Sequence, residues 1–209
     1  MHSNAYIEFV ERVEKDGYKQ GYNEELFKLI LPDEVNDVEK IVEEKFDNGD
    51  IHMAVFLPEL RRCNGIKKLE EKAQLLSKTC GAYCEIMRVL YNSTNLNDYL
   101  DNLISVLNSD NKSERMQAMM NLLRCGKSEK LYEVYRNQCM IEEEEDIRSR
   151  CVVGMFYCRN IIENPFAIQR LEQPWKRLKL EMYDCDRNKE ERLQSILEFE
   201  NTIGNCANC

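Results

Sequence analysis

The sequence is poor in residues that bend or interrupt a chain. Glycine numbers 8 and proline 4 among 209 residues. A β-sandwich or barrel needs many Gly- and Pro-bearing turns, and an α/β fold needs regular strand–turn–helix punctuation. Both classes are disfavoured. Histidine is scarcer still, with only His2 and His52. A Ser–His or Cys–His arrangement for nucleophilic catalysis would rest on His52 alone, and His52 stands near a helix start, where packing is its expected role. The longest apolar run, Cys151 to Cys158, is eight residues, against about 20 for a membrane span. The first fifteen residues carry Glu8, Glu11, Arg12, Glu14 and Lys15, which a secretory signal does not tolerate in its apolar stretch. There is no phosphate-binding glycine loop, helical HExxH or EF-hand loop. The expectation is a protein without catalysis, cofactor, metal or membrane contact.

What is present is acid. Aspartate and glutamate total 38 against 29 lysines and arginines, a net charge of −9. A domain that binds a phosphate backbone usually shows a net basic face, so nucleic acid is disfavoured as a ligand. An acidic surface suits a basic protein partner, because complementary fields speed encounter. Ten cysteines are also present. Without a secretory signal they point to a reducing, cytoplasmic setting and to free thiols that pack as small hydrophobes; Cys125, Cys151 and Cys158 fall in apolar helical patterns. Cys206 and Cys209 form a CxxC that, with Cys80 and Cys84, would supply four thiolate ligands for zinc if the tail folded back. An unligated tail is the simpler expectation.

Apolar residues recur at helical spacing almost throughout. Tyr6, Phe9, Val10 and Val13 form one stripe. Leu26, Phe27 and Ile30 form another, stopped at Pro32, and Val35, Val38, Ile41, Val42 and Phe46 a third. Asp50 is a predicted N-cap for a segment carrying Ile51, Ala54, Val55 and Leu60, in which Pro58 predicts a kink. Leu96, Tyr99, Leu100, Leu103, Ile104 and Leu107 make the cleanest amphipathic pattern. About a dozen short helices with brief polar links are predicted, forming one all-α domain over 1–209.

The most informative feature is an internal repeat. Arg115, Ala118, Leu122 and Cys125 recur 33 residues later as Arg148, Cys151, Met155 and Cys158. Both sets follow a polar turn, and both end at a helix stop, Gly126 or Asn160. A looser third copy begins at Arg192, after an insertion around 160–175 that carries Pro165 and Pro174. Stacked helix pairs bury faces that a lone pair cannot. At these positions the chain resembles HEAT-like repeats, most clearly over residues 96–203, with 1–95 helical but less regular. Asp146, Ile147, Arg148 and Cys151 fit that pattern best. The resemblance implies an α-α superhelix, a solenoid of antiparallel helix pairs. It makes Arg115, Arg148 and Arg192 structural, each pairing with acids or carbonyls of the adjoining repeat.

Glu142, Glu143, Glu144, Glu145 and Asp146 form a run of five acids. A helix N-terminus favours acids, but five exceed what capping needs, so the run is a candidate contact for a basic partner. Gln117, Asn121 and Arg150, on the neighbouring second helices, are the further candidates. Tyr132, Tyr135, Phe156 and Tyr157 are residue types found both in cores and at binding surfaces, with the core favoured here. In size, acidity and repeat type the chain is similar to bacterial immunity proteins, which implies direct binding and neutralisation of a basic, nuclease-type toxin. An adaptor that holds a peptide on its concave face shares the same features. HEAT-like enzymes such as DNA glycosylases and bilin lyases resemble the chain only through the generic repeat.

Overall fold

The computed structural model describes residues 2–15, 24–167 and 170–206. These form an all-α fold with eleven α-helices, two 3-10 helices and no strand among the described residues. The chain divides into two compact units, Met1–Leu100 and Asp101–Cys209.

The first unit holds α1 (Asn4–Lys15), α2 (Glu24–Lys28), α3 (Val35–Asp47), a 3-10 helix (Ile51–Glu59), α4 (Gly65–Gln74) and α5 (Gly81–Thr94). Its hub is the 3-10 helix, which packs against α2, α3, α4 and α5. The sequence predicts a kinked helix there. Instead the whole segment winds as a 3-10 helix with Pro58 inside it. A 3-10 helix repeats every three residues and stacks i on i+3. Met53 with Phe56, and Ala54 with Leu57, therefore form adjacent buried rows. Asp50 caps the start by accepting from the His52 amide at 3.2 Å. At the far end the buried Glu39 accepts from the amides of Arg61 and Arg62 at 3.0 and 3.1 Å, satisfying donors that the turn leaves open. Phe56 joins Phe9 and Phe27 in an aromatic cluster with centroids 5.1 to 5.9 Å apart. Gly65 meets this hub closely: a Cβ there would lie 1.8 Å from the Leu57 carbonyl oxygen.

His2, just before α1, is held by its neighbours. It stacks on Tyr6 at 4.1 Å and its Nδ1 lies 3.3 Å from the Glu34 carboxylate. Ser3 donates to the same carboxylate through its amide at 2.6 Å and its hydroxyl at 2.5 Å. Desolvation raises the Glu34 pKa, but these hydrogen bonds outweigh it and hold the carboxyl below its ordinary value.

Helix α6 (Asn97–Ser105) straddles the division between units. The second unit continues with a 3-10 turn (Val106–Asn108), α7 (Lys112–Leu122), α8 (Glu129–Ile141), α9 (Glu145–Cys158), α10 (Trp175–Tyr183) and α11 (Lys189–Cys206). Side-chain amides and hydroxyls start α7 and α8: Asn111 accepts from the Ser113 amide and Ser128 from the Leu131 amide. Asn188 and Glu191 form a reciprocal capping box at α11, at 2.9 and 3.0 Å, which satisfies two orphan donors at once. Helix α7 ends before Gly126 and α9 before Asn160, at left-handed φ of 88° and 59°. These are the two stops of the 33-residue repeat. Glycine reaches that region without strain, and asparagine tolerates it.

Helix α9 is the centre of this unit. It packs on α7, α8 and α10, and α11 packs on α10 and α8. Ala118 and Leu122 of α7 and their counterparts Cys151 and Met155 of α9 are all fully buried. The approach of α8 to α9 depends on Gly154, which faces the ring of the fully buried Tyr135. On the other flank Phe156 stacks on Phe199 at 4.7 Å, and Trp175 meets both edge-on at 6.2 and 5.7 Å. Each such aromatic pair adds about 0.5–1.5 kcal/mol beyond its buried area.

Candidate functional site

The candidate site is built on the turn between α8 and α9, which holds the acidic run. Its first member does not face solvent. Glu142 is 4% exposed and closes the end of α8. Its carboxylate receives Arg115 bidentately, Nε and Nη2 each at 2.9 Å, Gln138 at 3.1 Å, and the amides of Glu143 and Glu144 at 3.2 and 3.1 Å. Burial pushes its pKa up. The bonds from Arg115, the Glu144 amide and Gln138 prevail, so the carboxyl sits below its ordinary value.

The two repeat arginines make the same local motif. Arg115 Nη1 donates to the carbonyls of Ser109 and Asp110, six and five residues back, at 2.9 and 3.2 Å. Arg148 Nη1 donates to those of Glu142 and Glu143, again six and five back, at 3.0 and 2.9 Å. Each then reaches forward to the following turn: Arg115 to Glu142, and Arg148 to the Tyr183 carbonyl at 3.2 Å through Nε and 3.1 Å through Nη2. A planar guanidinium with five donors suits this clamp, which a lysine could not make. Arg192 differs. It is 7% exposed, and among the described residues its side chain makes no hydrogen bond or ion pair. Burial and the neighbouring Arg148 lower its pKa.

The remaining acids do reach the surface. Glu143 and Glu145 are exposed, and Glu144 and Asp146 show 42% and 52% of their side chains. Lys112 from the start of α7 bridges Glu144 at 2.8 Å and Asp146 at 3.1 Å. Hydrogen bonds to those two carboxylates raise its pKa. Lys112, Glu144, Glu145, Asp146, Ser149 and Tyr183 line an open hollow of about 460 Å³. The turn that follows Tyr183 adds two further acids, Asp184 and Asp186, with Cys185 between them. The three place their ligand atoms within 4.8 Å of one another. Cys185 Sγ lies 3.9 Å from Asp186 Oδ1, and the nearby carboxylates, Glu145 foremost, raise the thiol pKa. The arrangement offers an array of hydrogen-bond acceptors and negative charge to an ammonium or guanidinium group.

Two residues expected at a binding surface are corrected. Glu142 is consumed by Arg115, because its place at the helix end turns it inward. Asn121 is 4% exposed and its amide donates back along its own helix to the Gln117 carbonyl at 3.0 Å. Gln117 itself is exposed and Arg150 half-buried. Of the aromatics, Tyr132, Tyr135 and Phe156 are core residues, and Tyr157 is half-buried with the Lys127 ammonium 4.5 Å from its ring centroid. Tyr132 donates to Glu200 at 2.8 Å and lies under the Arg159 guanidinium, 3.7 Å from the ring centroid. Cys80 caps α5, accepting from the Tyr83 amide at 3.4 Å, and Cys84 is fully buried. Cys209 and the side chain of Cys206 lie outside the described residues. The sequence reading missed Lys112, Tyr183, Asp184 and Asp186. The polar turns carrying Lys112 and Asp186 are visible in the sequence, but nothing local shows that both border the turn at 142–146. Compared with protein-family models, curated proteins and solved structures, the chain matches none.

Proposed function

We propose that this chain is a non-catalytic, cytoplasmic protein-binding module of the HEAT-like solenoid type, which holds a basic partner against the turns at 143–146 and 184–186. The observation that carries this reading is the open hollow lined by Glu144, Glu145 and Asp146, with Lys112 bridging Glu144 and Asp146, and a further cluster of Asp184, Cys185 and Asp186 next in sequence to its lining residue Tyr183. The recurring arginine clamp supports the solenoid part, because the same contact joins successive turns at a 33-residue interval. The net charge of −9 supports a basic partner, and a toxin of the nuclease type, neutralised by direct binding, fits that charge. Opposite fields of this kind speed association and weaken with salt.

The test is affinity capture on the immobilised chain and on a Glu144→Gln, Glu145→Gln, Asp146→Asn triple variant. One dominant basic protein, held by the unaltered chain, released by salt and lost from the variant, is expected. Equal capture by both, or capture of proteins without basic character, would sink the reading.

A further inference from the structure

Arg192 stands in the first turn of α11 with 7% of its surface exposed. Its Nε is buried without a hydrogen-bond partner, and among the described residues the side chain has no ion pair. The charged and titratable groups that act on it are Arg148, a like charge, and the Cys139 thiol. Arg148 directs four of its five donors to the carbonyls of Glu142, Glu143 and Tyr183. The thiol is no anion either. Cys139 is buried, its Sγ lies 3.7 Å from the Met182 carbonyl as a donor, and burial pushes its pKa up to about 11.

A buried guanidinium without an anion is costly, and an unsatisfied buried donor calls for an occupant. The molecule shows what kind. At the matching position of the repeat, Arg115 holds the Glu142 carboxylate through Nε and Nη2, both at 2.9 Å. The Nε of Arg192 lies on the corresponding edge and has no hydrogen-bond partner. We infer that Arg192 is an oxyanion-binding residue, whose Nε edge receives a carboxylate or phosphate group from outside the described chain. The guanidinium fork fits two oxygens of either group. Arg148, with four of its five donors already on carbonyls, adds positive field.

The test is thermal unfolding of the full chain in chloride, inorganic phosphate and acetate at matched ionic strength, beside Arg192→Met. A ligand at tenfold excess over its Kd raises the Tm of a domain this size by about 3–6 °C. The expected result is such a rise in phosphate or acetate for the unaltered chain and its loss in Arg192→Met. A response to phosphate alone identifies a phosphate-type ligand, and a response to acetate a carboxylate. General salting effects act on both proteins alike, so equal responses, or no response in the unaltered chain, would overturn the inference. Should Arg192→Met not fold, the Arg192 Nε–H NMR resonance of the unaltered chain decides. A saturable shift on phosphate or acetate titration supports the site; an unmoved resonance in both refutes it.

Discussion

Replacing Gly154 by alanine separates helix propensity from packing. Gly154 lies inside α9, where glycine is about 1 kcal/mol less favourable than alanine. On propensity alone, Gly154→Ala would stabilise the protein. The structure reverses the sign. A Cβ at Gly154 would stand 2.5 Å from Tyr135 Cδ2, 2.6 Å from Cγ and 2.7 Å from Cε2, whereas carbon atoms pack at about 3.5–4.0 Å. The ring must retreat by about 1 Å, yet it is fully buried and close-packed interiors yield little. Overpacking of this kind costs about 1–3 kcal/mol, and three ring atoms in conflict place it at the upper end. The net loss is about 2 kcal/mol, a fall in Tm of roughly 4–8 °C. Urea unfolding followed by Trp175 fluorescence reads this directly, since the single tryptophan packs on Phe156 and Phe199 in the same unit. Gly204→Ala is the matched control: nothing lies within 4 Å of its Cβ position, so it should be neutral or stabilise by about 0.5 kcal/mol. Adding Tyr135→Leu should recover part of the Gly154→Ala loss, because the two sites are coupled through one contact. A Gly154→Ala protein as stable as the unaltered chain would refute the reasoning.

Two further substitutions test the interior. Tyr135→Phe removes a buried hydroxyl with no hydrogen-bond partner, so stability in the same urea assay should be unchanged or rise by up to about 1 kcal/mol; a loss above that size would mean the hydroxyl is bonded. Glu142→Gln keeps the shape but discharges the partner of Arg115, and should cost about 2 kcal/mol at pH 7. The pH dependence follows from the depressed pKa of Glu142. Its contribution is present above the unfolded carboxyl value of about 4.3 and is lost as pH falls through the lower folded value. Stability measured from pH 7 to 3 should therefore fall more steeply for the unaltered chain than for Glu142→Gln. Parallel curves would assign the acid sensitivity to other carboxylates.

The helical class was legible because it depends on local spacing. The stripes at Phe9 and Val13, at Val38, Val42 and Phe46, and at Leu100 and Leu103 are all buried where their period places them. The segment at Ile51–Glu59 was misread because its apolar rows fit a three-residue period almost as well as a 3.6-residue one. Pro58, which lacks a donor, tips such a segment away from α-helix. The acidic run shows the limit of reading charge along a line. Five adjacent acids look equivalent in sequence, but α8 ends at Glu142 and turns that one carboxylate onto Arg115.

By itself, the sequence determined the all-α character, the repeat of Arg115 at Arg148, and the excess of negative charge, because each depends on composition or on neighbours a few residues apart. Tertiary structure alone decided which acids face solvent, that Gly154 admits the Tyr135 ring, and that Lys112, Glu144, Glu145, Asp146 and Tyr183 border one hollow. It also decided that Arg192, alike in sequence to Arg115, is buried without the carboxylate that Arg115 receives. Those outcomes depend on which distant groups meet, and the energy of a buried charge or a ring against a helix is set by that meeting rather than by the residue's own identity.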